Sequence, residues 1–168
     1  MKTFKQHLLE AIPETLYHGS LKNFDKFSKQ TIRRGQAIFL STSKEYASLY
    51  GHIVYEVKPL TTNIFDYRKK DHLDSLSTEV DRILDKEKEK TYDKRIDFYP
   101  YTKEKVMTNI KKGRWNLMEQ PIIILAIKNL KFKGFFSMDN KDEHYAFFNP
   151  KDLKIIDKIE NYRTTKKW

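Results

Sequence analysis

The most informative stretch of the chain is Leu16-Tyr17-His18-Gly19-Ser20, which has the character of a short strand that ends at a glycine. A glycine lets the backbone approach a ligand closely, and the imidazole beside it can donate or accept a hydrogen bond. Taken alone, the stretch also fits an ordinary histidine that is satisfied at a strand end. Its meaning therefore depends on the rest of the chain.

The composition describes a folded, basic domain. The 168 residues include 11 Phe, 10 Tyr and 2 Trp, and 33 Lys and Arg against 23 Asp and Glu give a net charge of +10. That charge fits either a nucleic-acid partner or a solvated surface. The absence of cysteine excludes a disulfide scaffold, a cysteine-zinc site and a thiol nucleophile. We also expect no secretory signal and no membrane partner, because the longest apolar run, 122–127, is far shorter than the roughly 20 residues that span a bilayer.

Hydrophobic periodicity predicts a single α+β domain over residues 13–168. Short alternating or apolar segments predict strands at 15–19, 37–41, 52–57, 132–138, 144–148 and 155–156. Helical spacing predicts helices at 43–50, 74–90, 103–112 and 120–129. In the first helix we expect Ser43 as the N-cap, with Ala47 and Tyr50 facing inward.

Two further stretches carry chemistry. In the first, Phe39 on a predicted strand and Tyr50 on the following helix are eleven residues apart. Such a pair can form two walls of a slot for a flat ring, although aromatic side chains also suit a core. In the second, from Asp142 to Pro150, ionisable groups stand at the mouth of an otherwise apolar strand. Each stretch alone is a weak signal.

Together and in this order, the three stretches resemble the ADP-ribosyltransferase superfamily, and more closely its His-Tyr-Glu branch, which includes the poly-ADP-ribose polymerases and diphtheria-type toxins. Tyr17-His18-Gly19-Ser20 matches the first motif of that branch, and Ile38-Phe39-Leu40 with Tyr50 matches the second. The segment from His144 to Pro150 matches the third. The resemblance implies an α+β fold in which two small antiparallel sheets form an NAD cleft, with flanking helices.

The implied reaction is transfer of ADP-ribose from NAD, the co-substrate, to a macromolecular acceptor, with release of nicotinamide. The acceptor would be a host protein or a nucleic acid, and no metal is implied. By the resemblance, His18 would bond a ribose hydroxyl, the Gly19 backbone would hold the carboxamide and Ser20 would assist at the other ribose. Tyr50 would stack on the nicotinamide, with Phe39 where relatives have a tyrosine.

Two other residues are candidate NAD contacts. Arg33, with Arg34 beside it, would meet the pyrophosphate, unless both are simply solvated loop residues. Ser41 opens the run Ser41-Thr42-Ser43, which is similar to the Ser-Thr-Ser motif of the arginine-specific branch. No strand arginine stands where that branch needs one, since His18 occupies the position.

The third motif departs from the family, because His144 stands where the catalytic glutamate is expected. Glu143 is adjacent, but neighbouring residues on a strand point to opposite faces, so it needs a β-bulge or a later strand start to reach the site. Asp142 lies two residues before His144 and shares its face. Three interpretations stay open: catalysis by Glu143 or Asp142, altered chemistry that uses His18 and His144, and loss of transfer with binding retained.

Residues 1–12 are predicted to form a short amphipathic segment. It resembles the capsid-targeting leader of internal head proteins of large tailed phages, with Leu8-Leu9-Glu10 as the signal and cleavage after Glu10. This resemblance implies a phage protein that is packaged in the virion, associated with the head or its DNA, and delivered into the host cytoplasm as a toxin-like effector.

Two other functions remain as alternatives. A non-catalytic virion protein that binds NAD or nucleic acid on the same fold would explain the +10 charge and His144. Chemistry like that of the RNA 2′-phosphotransferases, which also use NAD, would explain two site histidines.

Overall fold

The computed structural model describes residues 12–28, 37–88, 103–112, 115–139 and 141–162. The strands are β1 (Leu16–Ser20), β2 (Ile38–Ser41), β3 (Ile53–Pro59), β4 (Ile64–Phe65), β5 (Gly134–Asp139), β6 (Asp142–Phe147) and β7 (Leu153–Ile159). The helices are α1 (Lys44–Ala47), α2 (Lys70–Lys88), α3 (Lys103–Ile110), α4 (Trp115–Met118) and α5 (Pro121–Asn129). Two 3-10 turns are present at Ser48–Tyr50 and Pro150–Asp152. The predicted α+β class is confirmed.

The strands form one seven-stranded sheet within the described residues, in the order β4-β5-β6-β2-β1-β3-β7. The β4–β5 pair is parallel and the other pairs are antiparallel. The prediction of two separate sheets was therefore wrong. One residue pair, Tyr17 with Ser41, joins β1 to β2, whereas β1 and β3 pair along five residues. Because this one pair joins them, β4-β5-β6-β2 and β1-β3-β7 form two nearly separate halves of the sheet.

Both faces of the sheet are covered by apolar side chains. On one face, α2 to α5 pack on Phe65, Phe135 and Ala146. On the other, strand residues such as Leu40 and Phe147 form a second cluster. The alternation of neighbours along each strand supplies both clusters, and each fully buried large side chain contributes about 1.5–3 kcal/mol.

Most sequence-predicted elements are present with shifted ends. The charged helix begins at Lys70 instead of 74, and the strand before Pro59 includes that proline as its last residue. The buried helix with a proline in its first turn is α5. The two short elements β4 and α4 were missed, because two and four residues are too few to show a period.

The segment after β2 differs from its prediction in one important respect. Ser43 is the N-cap of α1, as predicted, and its Oγ accepts a hydrogen bond from the Tyr46 N–H at 3.1 Å. Ala47 is buried, but Tyr50 is 54% exposed and does not face inward. The helix ends at Ala47 and the chain continues as a 3-10 turn, which has three residues per turn and so rotates Tyr50 outward.

We expect acid to destabilise the fold through His72 and two other histidines. Burial lowers the pKa of His72, whose Nδ1 accepts a hydrogen bond from the Asp66 N–H at 2.9 Å, and burial also lowers the pKa of His18 and His144. Since the unfolded chain then binds more protons, the free energy of unfolding falls as the pH drops below about 6.5.

Urea unfolding at about pH 7.5 and about pH 5 measures this change. His72→Asn is the control, because its amide oxygen can accept the same N–H without titrating, and it should show a smaller loss at low pH. Equal unfolding free energies at the two pH values would contradict the prediction.

Candidate active site

His18 stands where β1 and β2 diverge. Tyr17 pairs with Ser41 and lies under the Lys44 ammonium, 5.1 Å from the ring centroid, so the alternation of the strand turns His18 to the opposite side. There the imidazole packs edge-on against Phe27, with ring centroids 5.3 Å apart. Its Nδ1 donates a hydrogen bond to the Phe39 carbonyl at 2.9 Å. This side-chain bond stands where a backbone N–H of β1 would otherwise bond to β2. The side chain thus bridges the two halves of the sheet.

The protonation of His18 follows from these contacts. A carbonyl oxygen only accepts, so Nδ1 carries the hydrogen, and in the neutral imidazole Nε2 keeps a lone pair. Burial lowers the pKa of His18, and the bond to Phe39 opposes part of that shift. A neutral ring with Nε2 as an acceptor is therefore the favoured form.

Gly19 and Ser20 have local structural roles. A Cβ added at Gly19 would lie 1.7 Å from the Ala47 carbonyl oxygen, so only glycine lets α1 pack this closely on β1. The Ser20 hydroxyl donates to the Lys22 carbonyl at 2.9 Å and accepts from the Lys22 N–H at 3.0 Å. Ser20 is thus engaged in the turn that follows β1.

His144 belongs to a row of buried polar side chains across three neighbouring strands. The registers place Ser41 of β2 on one side of it and Ser137 of β5 on the other. His144 is 8% exposed, and its Nε2 has no hydrogen-bond partner among the described residues. Burial lowers its pKa, although Asp139 and Asp142 raise it in part. An unpaired buried polar atom costs about 1–3 kcal/mol and calls for a functional explanation.

Helix α1 places Tyr46 against this row. Its ring meets the His144 ring nearly edge-on, with centroids 4.4 Å apart. The Tyr46 hydroxyl donates to Oδ2 of Asp139 at 2.5 Å, and the Tyr50 hydroxyl donates to the Tyr46 oxygen at 3.2 Å. Burial, reinforced by the bond to Asp139, raises the pKa of Tyr46, so its phenol stays protonated. These residues form a connected polar cluster: Tyr50, Tyr46, Asp139 and His144.

Glu143 lies on the opposite face of the sheet from His144. The β5–β6 pairing continues without a bulge from Asp139–Asp142 through Ser137–His144, so β6 has already begun at Asp142. The Glu143 carboxylate pairs with Arg68 at 3.6 Å, and the Arg68 guanidinium lies over the Phe136 ring at 3.9 Å. The β5–β6 pairing therefore shows neither the β-bulge nor the later strand start that Glu143 would need to reach the face that carries His144.

The structure does not bring Phe39 and Tyr50 together as the two walls of a slot. Phe39 packs edge-on against Phe135, with centroids 6.1 Å apart, on the helix-covered face. Tyr50 contacts Tyr46 instead, with centroids 5.8 Å apart. Spacing along the chain placed the two rings correctly on a strand and a helical segment, but the end of α1 separates them.

Some predicted features fall outside the described residues, namely Arg33, Arg34 and the leader segment at 1–11. Within the described ranges, no group of three or more histidine, cysteine, aspartate or glutamate side chains is arranged to hold a metal ion. No helix in the same part of the chain is long and apolar enough to cross a membrane.

Sequence reasoning missed Tyr46 and Asp139. Asp139 falls between the predicted strands 132–138 and 144–148, and Tyr46 falls within the predicted helix 43–50, so neither stood out as a site residue. The available signal was the period of two: Asp139 lies two residues after Ser137, so both share one face of β5. The contact with Tyr46 joins residues 93 positions apart, which no local pattern predicts.

Known proteins agree with this architecture. The family model for ADP-ribosyltransferase in polyvalent proteins matches residues 10–162. A solved structure described as the crystal structure of an anti-CRISPR protein has a similar fold, with a TM-score of 0.53 at 12% identity, over 86% of this chain and 94% of that one. No curated protein matches the sequence. The resemblance to ADP-ribosyltransferases is confirmed, and the chain belongs to the family of ADP-ribosyltransferase domains of polyvalent proteins.

Proposed function

We propose that the protein transfers ADP-ribose from NAD to a macromolecular acceptor and releases nicotinamide, and that NAD binds where β1 and β2 diverge. The observation that carries the proposal is the buried row of Ser41, His144 and Ser137, with an unpartnered Nε2, in a domain of this family. Ser41 accepts a hydrogen bond from the Ser43 N–H at 3.0 Å, but the buried Nε2 of His144 has no partner among the described residues, and a ligand is the simplest reason for a polar side chain there.

His18 is proposed as a positioning residue and not as a contact to a ribose bound at the His144 row, because the pairing of Tyr17 with Ser41 and of Ser41 with His144 turns its imidazole to the opposite face of the sheet. Its Nδ1 holds the ring on the Phe39 carbonyl, so the side chain links β1 to β2 where the two strands diverge. Aromatic packing on Phe24, Phe27 and Tyr55 restricts the imidazole further. These contacts set the spacing of β1 and β2 at the proposed NAD site before the substrate binds.

The nicotinamide end is proposed to lie toward α1. Gly19 faces the end of this helix, and among the described residues β1 has no paired residue on β2 beyond Tyr17, so its backbone there is the proposed partner of the carboxamide. Tyr50 keeps the role of an aromatic contact, since its ring is 54% exposed beside Tyr46. Phe39 is proposed to act through its carbonyl, because its ring is packed on Phe135.

Transfer requires the bond between C1′ of the ribose and nicotinamide to break. The transition state resembles an oxocarbenium ion, as in glycoside cleavage, and is stabilised by ordered ribose hydroxyls and nearby negative charge. On the His144 face, Asp139 and Asp142 are the nearby carboxylates. Arg33 remains a proposed contact to the pyrophosphate.

A host macromolecule is proposed as the acceptor, and a phage as the source of the protein. A solved structure with a similar fold is described as an anti-CRISPR protein, which is compatible with a phage protein. The net charge of +10 would favour approach to a nucleic acid or an acidic protein surface.

Doubly labelled NAD tests the proposed function. With host lysate present, we expect the nicotinamide label to be released and the adenylate label to enter the macromolecular fraction, because transfer separates the two halves of NAD. Digestion of the product with protease or with nuclease then identifies the acceptor class. Retention of both labels in intact NAD, with every acceptor fraction, would contradict the proposal and favour a binding protein.

A further inference from the structure

We propose that Asp139, on β5, supplies the carboxylate that faces the developing positive charge of the ribose, in place of a carboxylate at position 144. The inference rests on the proposed function and deepens it by naming the catalytic residue. It starts from a deficit: a neutral imidazole at position 144 can orient a hydroxyl or accept a proton, but it does not stabilise a cation as a carboxylate does.

The register of β5 and β6 places Asp139 on the face of the sheet that carries Ser137 and His144. Ser137 pairs with His144, and Asp139 pairs with Asp142. Because side chains alternate along a strand, Asp139 shares the face of Ser137, and Asp142 shares the face of His144. Two carboxylates therefore stand opposite each other at the end of the row that contains His144, and both act electrostatically on its imidazole.

The contacts of helix α1 favour Asp139 over Asp142 as the carboxylate that faces the ribose. The Tyr46 hydroxyl donates to Oδ2 of Asp139 at 2.5 Å, and the Tyr46 ring packs on His144 at 4.4 Å. The Tyr50 hydroxyl supports Tyr46 from the solvent side. Oδ1 of Asp139 accepts no hydrogen bond from the described residues, so it is the oxygen left to face a ligand. Asp142 has no such tether in the same part of the chain.

The titratable and charged groups around His144 are consistent with this division of roles. Tyr46 approaches from α1, Asp139 from β5 and Asp142 from β6 itself. Burial raises the pKa of Tyr46, so the phenol donates its hydrogen to Asp139 and does not compete for the proton. The carboxylate of Asp139 is thereby held in one orientation.

The proposed step balances as follows. The bond from C1′ to the pyridinium nitrogen breaks, and its electron pair stays on that nitrogen, so nicotinamide leaves as a neutral molecule. Positive charge develops on C1′ and the ring oxygen, facing Asp139. The nucleophilic atom of the acceptor then bonds to C1′, and its proton passes to Oδ1 of Asp139 and from there to water.

Five variants of the full chain test the assignment by nicotinamide release, and one of them, Asp142→Asn, is expected to retain turnover. Asp139→Asn keeps an oxygen that can accept from Tyr46 but removes the charge, and we expect kcat to fall by about 100-fold or more, with little change in KM for NAD. Tyr46→Phe removes one neutral hydrogen bond and keeps the charge, so we expect a loss below about tenfold. Asp139→Glu, which restores the charge, should recover part of the turnover. Asp74→Asn, an exposed aspartate paired with Lys70 on α2, is the matched control and should be unchanged.

Several results would overturn the assignment. It fails if Asp139→Asn keeps its kcat, if Asp142→Asn loses turnover in its place, or if Tyr46→Phe is as inactive as Asp139→Asn, which would indicate a structural role. It fails equally if folded Asp139→Glu is as inactive as the asparagine variant. In all of these cases the parent protein still releases nicotinamide, and the proposed function stands. An inactive parent protein would instead overturn the proposed function, and this assignment with it.

Discussion

Gly19→Ala should lower the melting temperature by about 6–12 °C, which corresponds to about 3 kcal/mol for a domain of this size. The added Cβ would lie 1.7 Å from the Ala47 oxygen and 2.7 Å from the Ala47 carbon. Both are backbone atoms, so no side-chain rotation relieves the overlap, and either α1 or β1 must move. The movement would also disturb Tyr46, which immediately precedes Ala47 in α1.

Ser20→Ala is the matched control for this prediction. It changes the adjacent residue and removes only a hydroxyl that bonds within the exposed turn to Lys22. We expect its unfolding free energy to fall by less than about 1 kcal/mol. Thermal unfolding followed by circular dichroism compares the two, and a Gly19→Ala protein as stable as Ser20→Ala would show that close packing of α1 does not require the glycine.

The sequence predicted well the features that local residue patterns determine, namely strands, a helix start and the face on which a strand residue lies. Alternation identified β1 and β2, a serine identified the start of α1, and the period of two separated Glu143 from His144. The number of sheets could not be obtained in this way. A single residue pair, Tyr17 with Ser41, decides between one sheet and two, and no periodicity reports it.

The candidate site was predicted in part for the same reason. His18 and His144 could be singled out because they lie within matched motifs. Tyr46 and Asp139 belong to separate segments, and only the packing of α1 against β5 brings the phenol and the carboxylate together. Tyr50 was placed inward because an α-helix was extended through a segment that is a 3-10 turn.

The second large effect is expected at His144. His144→Ala should reduce nicotinamide release by about 100-fold or more, because it removes the buried imidazole that Tyr46 packs against and leaves a cavity beside Asp139. His144→Asn keeps a polar side chain of smaller size and should be intermediate. Unfolding in urea shows whether the loss exceeds what lower stability explains.

Glu143→Gln is the natural comparison, since it alters the adjacent residue on the same strand. Its carboxylate faces Arg68 on the other side of the sheet, in a partly exposed ion pair of the kind that contributes about 0–1 kcal/mol. We therefore expect it to retain turnover close to that of the parent. Any loss of stability should be small, because Arg68 also pairs with Asp66 at 2.7 Å.

The most direct test of the central claim, that NAD is cleaved on the face of the sheet that carries His144, is nicotinamide release measured side by side for the parent, His144→Ala and Glu143→Gln. We expect turnover by the parent and by Glu143→Gln and its near-complete loss in His144→Ala. Turnover by His144→Ala together with its loss in Glu143→Gln would place the chemistry on the face that carries Glu143 and contradict cleavage at the His144 row.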